Sequence, residues 1–318
     1  MDSTSSATGR VLCVGLTCVD VISYCKQYPA EDTDQRCVAQ RWCLGGNACN
    51  NVLVLRQLAT EAHLFSAVAS SSAHVENGVL HRLLSDAQLA TEFCVLRPHD
   101  KVPASTVIVS ESTGTRTIQH SPNGLNEPTV AEFQAVINLE EFSWIHFEGR
   151  NFNETRRMID TILQFRDTTN STKPTISVEC EKVRAGGDLA QLVVGVDVLF
   201  VSKEFAAKHG FRDMVAAVSG ILKACGLSEA QIAKQSTTVV CAWGDSGAAV
   251  RSPTGRLHTA DAYKPAAGQS IIDTLGAGDT FVAAMIHGLN QQHSPEAALT
   301  IACETAGRKC TNRGLFIQ

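Results

Sequence analysis

The chain has 318 residues, 44% of them hydrophobic and 19% charged, with a formal net charge of −5. Such a composition buries a large core, which excludes a disordered chain, and it lacks the clustered Lys and Arg on which binding to a nucleic-acid backbone rests. No apolar stretch reaches the ~20 residues that cross a bilayer, so neither nucleic acid nor membrane is expected as a partner.

Residues 1–10 are small and polar, read as a flexible N-terminus without an apolar signal segment. The twelve cysteines then belong to a reducing, cytoplasmic setting; with no C-x-x-C or H-E-x-x-H spacing they form neither a zinc site nor a redox pair. Val11-Leu12-Cys13-Val14 is an uninterrupted apolar run ending at Gly15, the pattern of a strand buried on both faces of a parallel sheet. From Cys18 to Trp42, β-branched residues mix with Pro29, Glu31, Asp32 and Asp34 without helical period, which predicts strands and turns outside the main sheet. Gly45-Gly46 opens a predicted helix over Asn47–Leu58, with Ala48, Val52, Leu55 and Leu58 on one face.

Ala62–Val68 reads as one strand and Val79–Leu84 as part of a helix. Thr106–Val109 and Arg116–His120, joined by Ser112-Thr113-Gly114-Thr115, predict a hairpin able to pair with the early strands. Four further apolar runs, Trp144–Phe147, Thr175–Val178, Val196–Val201 and Thr237–Cys241, read as successive parallel strands, and Thr280–Leu289 as a buried helix. The alternation implies a single layered α/β domain over 11–318, with strands at about 18–42 and 102–121 outside the main sheet.

Chemistry concentrates in two segments. Asp273-Thr274-Leu275-Gly276-Ala277-Gly278-Asp279 places glycines and a carboxylate where the buried helix begins. Free N–H groups of a helix start bind phosphate, and Gly276, Ala277 and Gly278 let a ligand approach the backbone. Asp279 repels phosphate unless it takes a proton from the attacking hydroxyl, and its residue type serves equally as an N-cap. A dinucleotide fingerprint fails because Phe281 stands at the third glycine position, and no Walker-type loop occurs. The second segment is Gly45-Gly46-Asn47-Ala48-Cys49-Asn50, whose amides Asn47 and Asn50 share a helix face and offer donors and acceptors to a polyol. Asp20 and Asp32 are candidate acceptors for hydroxyls; the alternative is a capped helix and two solvated carboxylates.

Together these two segments, in this order and separation, resemble the signatures of the ribokinase-like carbohydrate kinases. Arg41-Trp42, Trp144–Asn151, Val201-Ser202-Lys203, Val240–Trp243 and Gly307–Cys310 are further similar to the ketose-phosphorylating branch, and the likeness runs from Val11 to Gly314. The resemblance implies a three-layer α/β/α sandwich with a mostly parallel sheet, a β-sheet lid that pairs two chains into a homodimer, and transfer of phosphate from ATP with Mg2+ to the carbon-one hydroxyl of fructose. K+ stays open as an activator, as do another sugar or nucleoside as acceptor, or a sugar-binding role without transfer. By position, Asp20, Asp32, Gly46, Asn47 and Asn50 would hold the sugar and Asp279 would be the catalytic base. Arg116, otherwise a solvated strand residue, would reach the phosphates, Gly244-Asp245-Ser246-Gly247 would run along the nucleotide, and Gly276-Ala277-Gly278 would form the anion hole. Cys303 would lie near adenine, where its residue type alone says only a buried small side chain. The metal-side residues are not assigned, because Ser202-Lys203-Glu204-Phe205 stands where many members carry Asn-x-x-Glu, and the glycine-rich tail is shortened to 313–318.

Overall fold

The computed structural model describes residues 9–183 and 189–317; eight of the ten residues expected to form a flexible N-terminus, 1–8, lie outside that range. The strands are β1 (Arg10–Val14), β2 (Cys18–Cys25), β3 (Ala39–Gly45), β4 (Ala62–Phe65), β5 (Ala67–Ala69), β6 (Val95–Arg97), β7 (Ala104–Ser110), β8 (Arg116–Ser121), β9 (Phe142–Glu148), β10 (Thr175–Cys180), β11 (Val198–Ser202), β12 (Thr238–Ala242), β13 (Ala248–Arg251) and β14 (Leu257–Ala260). The helices are α1 (Asn47–Gln57), α2 (Val75–Asp86), α3 (Val130–Val136), α4 (Phe152–Thr169), α5 (Leu189–Val193), α6 (Lys203–Lys208), α7 (Met214–Ala224), α8 (Glu229–Lys234), α9 (Ala277–Asn290) and α10 (Pro295–Cys310).

Eight strands form the central sheet in the order β14-β13-β12-β11-β10-β9-β1-β4, parallel from β12 to β4, with β13 and β14 added antiparallel at one edge. Successive side chains on a strand face opposite ways. In β1, Val11 and Cys13 join one core with α1, α2, α9 and α10, whereas Leu12 and Val14 join a second core with α3, α4, α6 and α7. Helices therefore cover both faces, and this is why the strand reads as a continuous apolar run.

Strands β3-β2-β7-β8 form a separate four-stranded sheet, with β2 and β7 parallel and the other pairs antiparallel. The expected single strand over 62–68 is instead two. The chain leaves the central sheet at Ser66, whose carbonyl accepts from Val95 N, and β5 pairs with β6. The apolar run Ala67-Val68-Ala69 continues because both sheets bury it, so hydrophobicity carries no mark of the break.

Candidate active site

Helices α1 and α9 come from opposite ends of the chain and pack together near the carboxyl ends of the parallel strands, where ligands bind in open α/β sheets. Gly46 caps α1 at φ +94°, and a Cβ there would strike the Leu16 carbonyl, so only glycine fits. One helical turn onward, Asn50 Nδ2 donates to Asp279 Oδ2 at 2.7 Å, and Asn51 Nδ2 donates to the Asp279 carbonyl at 2.9 Å. The Oδ1 atoms of both asparagines are buried without a partner among the described residues. Asn47 Nδ2 reaches Glu179 Oε2 at 3.1 Å and Glu181 Oε2 at 3.3 Å.

The cap of α9 is Gly276, left-handed at φ +75°, and no side chain caps the helix. Asp279 is thus not the N-cap: it sits inside the first turn and spends its carboxylate on Asn50. At Gly278 a Cβ would meet nothing within 4 Å, so the start of the helix is open on that side.

Burial pushes the Asp279 carboxyl up to about 7, helped by Glu181, Glu148 and Asp20 and opposed by the Asn50 bond. Burial likewise raises Glu179 well above the carboxylate range, with Asp279 and Glu181 adding to the effect. Glu148, at the end of β9, accepts from Leu16 N at 2.9 Å and pairs with Arg150 Nη1 at 3.2 Å. These three glutamates carried no role in the sequence reading. The available signal was a carboxylate closing an apolar parallel strand, as in Phe147-Glu148 and Val178-Glu179-Cys180-Glu181.

The four-stranded sheet presents one face to this site. Register puts Asp20, Arg41, Ser105, His120 and Arg116 on the side of buried Ile22, Tyr24 and Val107, against which Leu275 packs. Asp20 accepts from Cys18 Sγ at 3.4 Å, and burial raises its carboxyl. Arg116 Nη1 donates to Thr274 Oγ1 at 3.2 Å, joining β8 to the 273–279 turn. Asp32 is not gathered in: it is exposed in the β2–β3 connection at φ +57°, and no hydrogen bond among the described residues joins it to Asn47, Asn50 or Asp279.

Gly244, Asp245 and Ser246 form an exposed 3-10 turn after β12, closed by Trp243 N donating to the Gly247 carbonyl at 2.7 Å. Gly247 packs on the Ala260 carbonyl, the same atom that Cys303 Sγ approaches at 4.0 Å from α10. The nucleotide-side candidates thus converge on the end of β14. Burial pushes the Cys303 thiol up to about 11, which makes it a neutral packing group at neutral pH. Ser202 caps α6 through Phe205 N and donates to the Glu181 carbonyl; Lys203 Nζ stands 5.7 Å over the Trp243 ring.

Known proteins share the sequence pattern and the fold. The pattern of the pfkB family of carbohydrate kinases matches residues 8–317. Mouse ketohexokinase is 36% identical over 310 residues, 96% of this chain and 97% of that protein, and an ATP-dependent ribose-1-phosphate kinase from Halopiger xanaduensis is 24% identical over 94% of this chain and 93% of its own length. The fold is shared with ribokinase from Giardia lamblia (TM-score 0.77, 18% identity, 96% of this chain and 94% of that one) and with Arabidopsis thaliana ribokinase complexed with ribose and ATP (TM-score 0.70, 15% identity, 96% and 94%). This chain belongs to the pfkB family of carbohydrate kinases and is an ATP-dependent sugar kinase.

Proposed function

We propose that this kinase phosphorylates fructose on its carbon-one hydroxyl, with Asp279 as the catalytic base. The observation that carries the reading is the Asn50–Asp279 hydrogen bond beside an uncapped, open helix start; the 36% identity with mouse ketohexokinase supports the ketose as acceptor. Asn50 fixes one oxygen of the carboxylate and leaves the other to accept the hydroxyl proton. The half-buried Asp20 carboxylate and the Asn47 amide, the latter held by Glu179 and Glu181, are offered to the remaining sugar hydroxyls. Asp32 joins them only if the β2–β3 connection folds inward over the sugar.

The uncapped first turn of α9 and the Arg116 guanidinium fit an oligophosphate, as does the open space at Gly278. ATP supplies the phosphoryl group. The helix N–H groups and Arg116 face the charge that develops on it, a role worth several kcal/mol in a site closed to water. Among the described residues no cluster of three or more His, Cys, Asp or Glu is built to hold a metal, which suits Mg2+ carried on the phosphates and held by one or two carboxylates. The same reading makes the protein a cytoplasmic homodimer joined through the four-stranded sheet.

Coupled ADP release with MgATP and a panel of ketoses, aldoses and nucleosides, with the product read by NMR, tests the assignment. Fructose phosphorylated at carbon one supports it. Turnover of another acceptor alone overturns the substrate, and phosphate placed elsewhere on fructose overturns the position.

A further inference from the structure

Lys309 is a fully buried lysine in the last turn of α10. Its Nζ donates to the Asp273 carbonyl at 2.7 Å and lies 3.6 Å from Asp273 Oδ1. Asp273 is itself buried and fully engaged: Oδ1 accepts from Leu275 N and Oδ2 from Gly314 N, each at 2.9 Å, and its own N–H reaches the Cys310 carbonyl at 3.1 Å. The ammonium therefore sits at the root of the turn that leads, three residues later, into Gly276 and the open start of α9. Asp273, Cys310 and Arg41 are the charged or titratable groups around it, and burial lowers its proton affinity.

A buried ion pair contributes little to stability compared with apolar side chains of the same volume, so stability alone gives poor reason for a lysine here. A methionine would fill the space but could neither hold the Asp273 carbonyl nor neutralise the Asp273 carboxylate beneath a turn read as facing phosphate. We propose that Lys309 is a positioning residue for phosphoryl transfer, its ammonium locking the 273–279 turn in the shape that receives the phosphate and neutralising the Asp273 carboxylate beneath it. The inference rests on reading this turn as the phosphate-receiving one.

The test compares wild type, Lys309→Met, Lys309→Arg and Lys309→Ala with MgATP and the acceptor that wild type turns over. Lys309→Met is expected to lose about 10²-fold in kcat, the size of effect that follows from misplacing reacting groups by an ångström, with the sugar KM changed less than about threefold. Because truncation to alanine leaves room for a small amine, n-propylammonium is expected to restore kcat of Lys309→Ala at least about tenfold, whereas tetramethylammonium at equal ionic strength is not. A purely packing role predicts no such selectivity. A folded Lys309→Met with kcat near wild type overturns the inference, as does a loss that no amine restores and that follows thermal stability. Asp279→Asn measured alongside separates the two readings: turnover retained there removes the site and the role of Lys309 with it. Turnover lost there while Lys309→Met stays active removes only Lys309. A wild type that turns over no acceptor overturns both.

Discussion

A carboxyl group raised to about 7 is half ionised at neutral pH, so it is both available as a base and strong enough to take the proton of a hydroxyl as its oxygen attacks phosphorus. The expected pH profile of kcat/KM follows: activity falls with unit slope below about 7 and is flat above it, as far as Asp279 governs the rate. A profile flat down to pH 5 would remove Asp279 as the base. Asp279→Asn should lower kcat by about 10²–10⁴-fold, the usual worth of general-base catalysis, and leave ATP affinity largely intact in a nucleotide titration. Stability should move the other way. The folded-state pKa lies above that of the unfolded chain, so the stability this group contributes is present at low pH and lost as pH rises through about 7. Asp279→Asn is therefore expected to raise Tm more at pH 8 than at pH 5, by about 2–4 °C for each kcal/mol recovered. Burial makes the ionised Asp279 carboxylate costly to the fold, the cost that the asparagine would remove.

At the scale of elements, the turn into α9 makes a sharper demand than its helix. Gly276 needs its left-handed φ, and a Cβ there would press on Leu315 Cδ2. Gly278 needs neither, since a methyl group added there meets only open space within the protein. Gly278→Ala should accordingly leave Tm within about 1 °C, surface changes of this kind costing little, yet raise the KM for ATP about tenfold by crowding the phosphate. An unchanged KM would place the phosphate elsewhere. The same contrast explains what sequence made legible. The strands β1, β9, β10 and β12 and the helices α1 and α9 were readable because each is an apolar run of fixed period punctuated by glycine, and the 273–279 heptad because its residues are unusual together. The break at Ser66 was not, because pairing with β6 rather than composition ends β4. Glu148, Glu179 and Glu181 looked like ordinary polar residues closing strands, and only the parallel alignment of β9 with β10 brings them to one place. Lys309 carried no role in the sequence, because which side of a helix is buried is settled only by the elements packed against it.

For the whole molecule, the four-stranded sheet is both cover and surface. Its inner face carries Asp20 and Arg116 toward the site, while its other face and the β2–β3 connection expose Trp42, Val38 and Tyr28, each about half accessible. A single protomer gains nothing by leaving an indole in water, and a partner sheet would cover it. Trp42→Glu should convert the proposed dimer to a monomer in sedimentation equilibrium while the isolated chain keeps its fold by circular dichroism. A wild-type protein that sediments as a monomer at micromolar concentration would end the proposal.

The contact between Asn50 and Asp279 spans 229 residues, and Asn290 ties back to the Gly9 carbonyl across 281. During synthesis, α1 leaves the ribosome with Asn50 and Asn51 hydrogen-bonded to water, before their partner Asp279 exists. At translation rates of about 5–20 residues per second, roughly 10–45 s pass before α9 arrives. By the end of that interval the strands of the central sheet have all been made, and the flank that α9 and α10 cover is still open. The Asn50–Asp279 contact forms only once α9 has been made, so a chain that stops before residue 277 lacks it and keeps that flank exposed to aggregation.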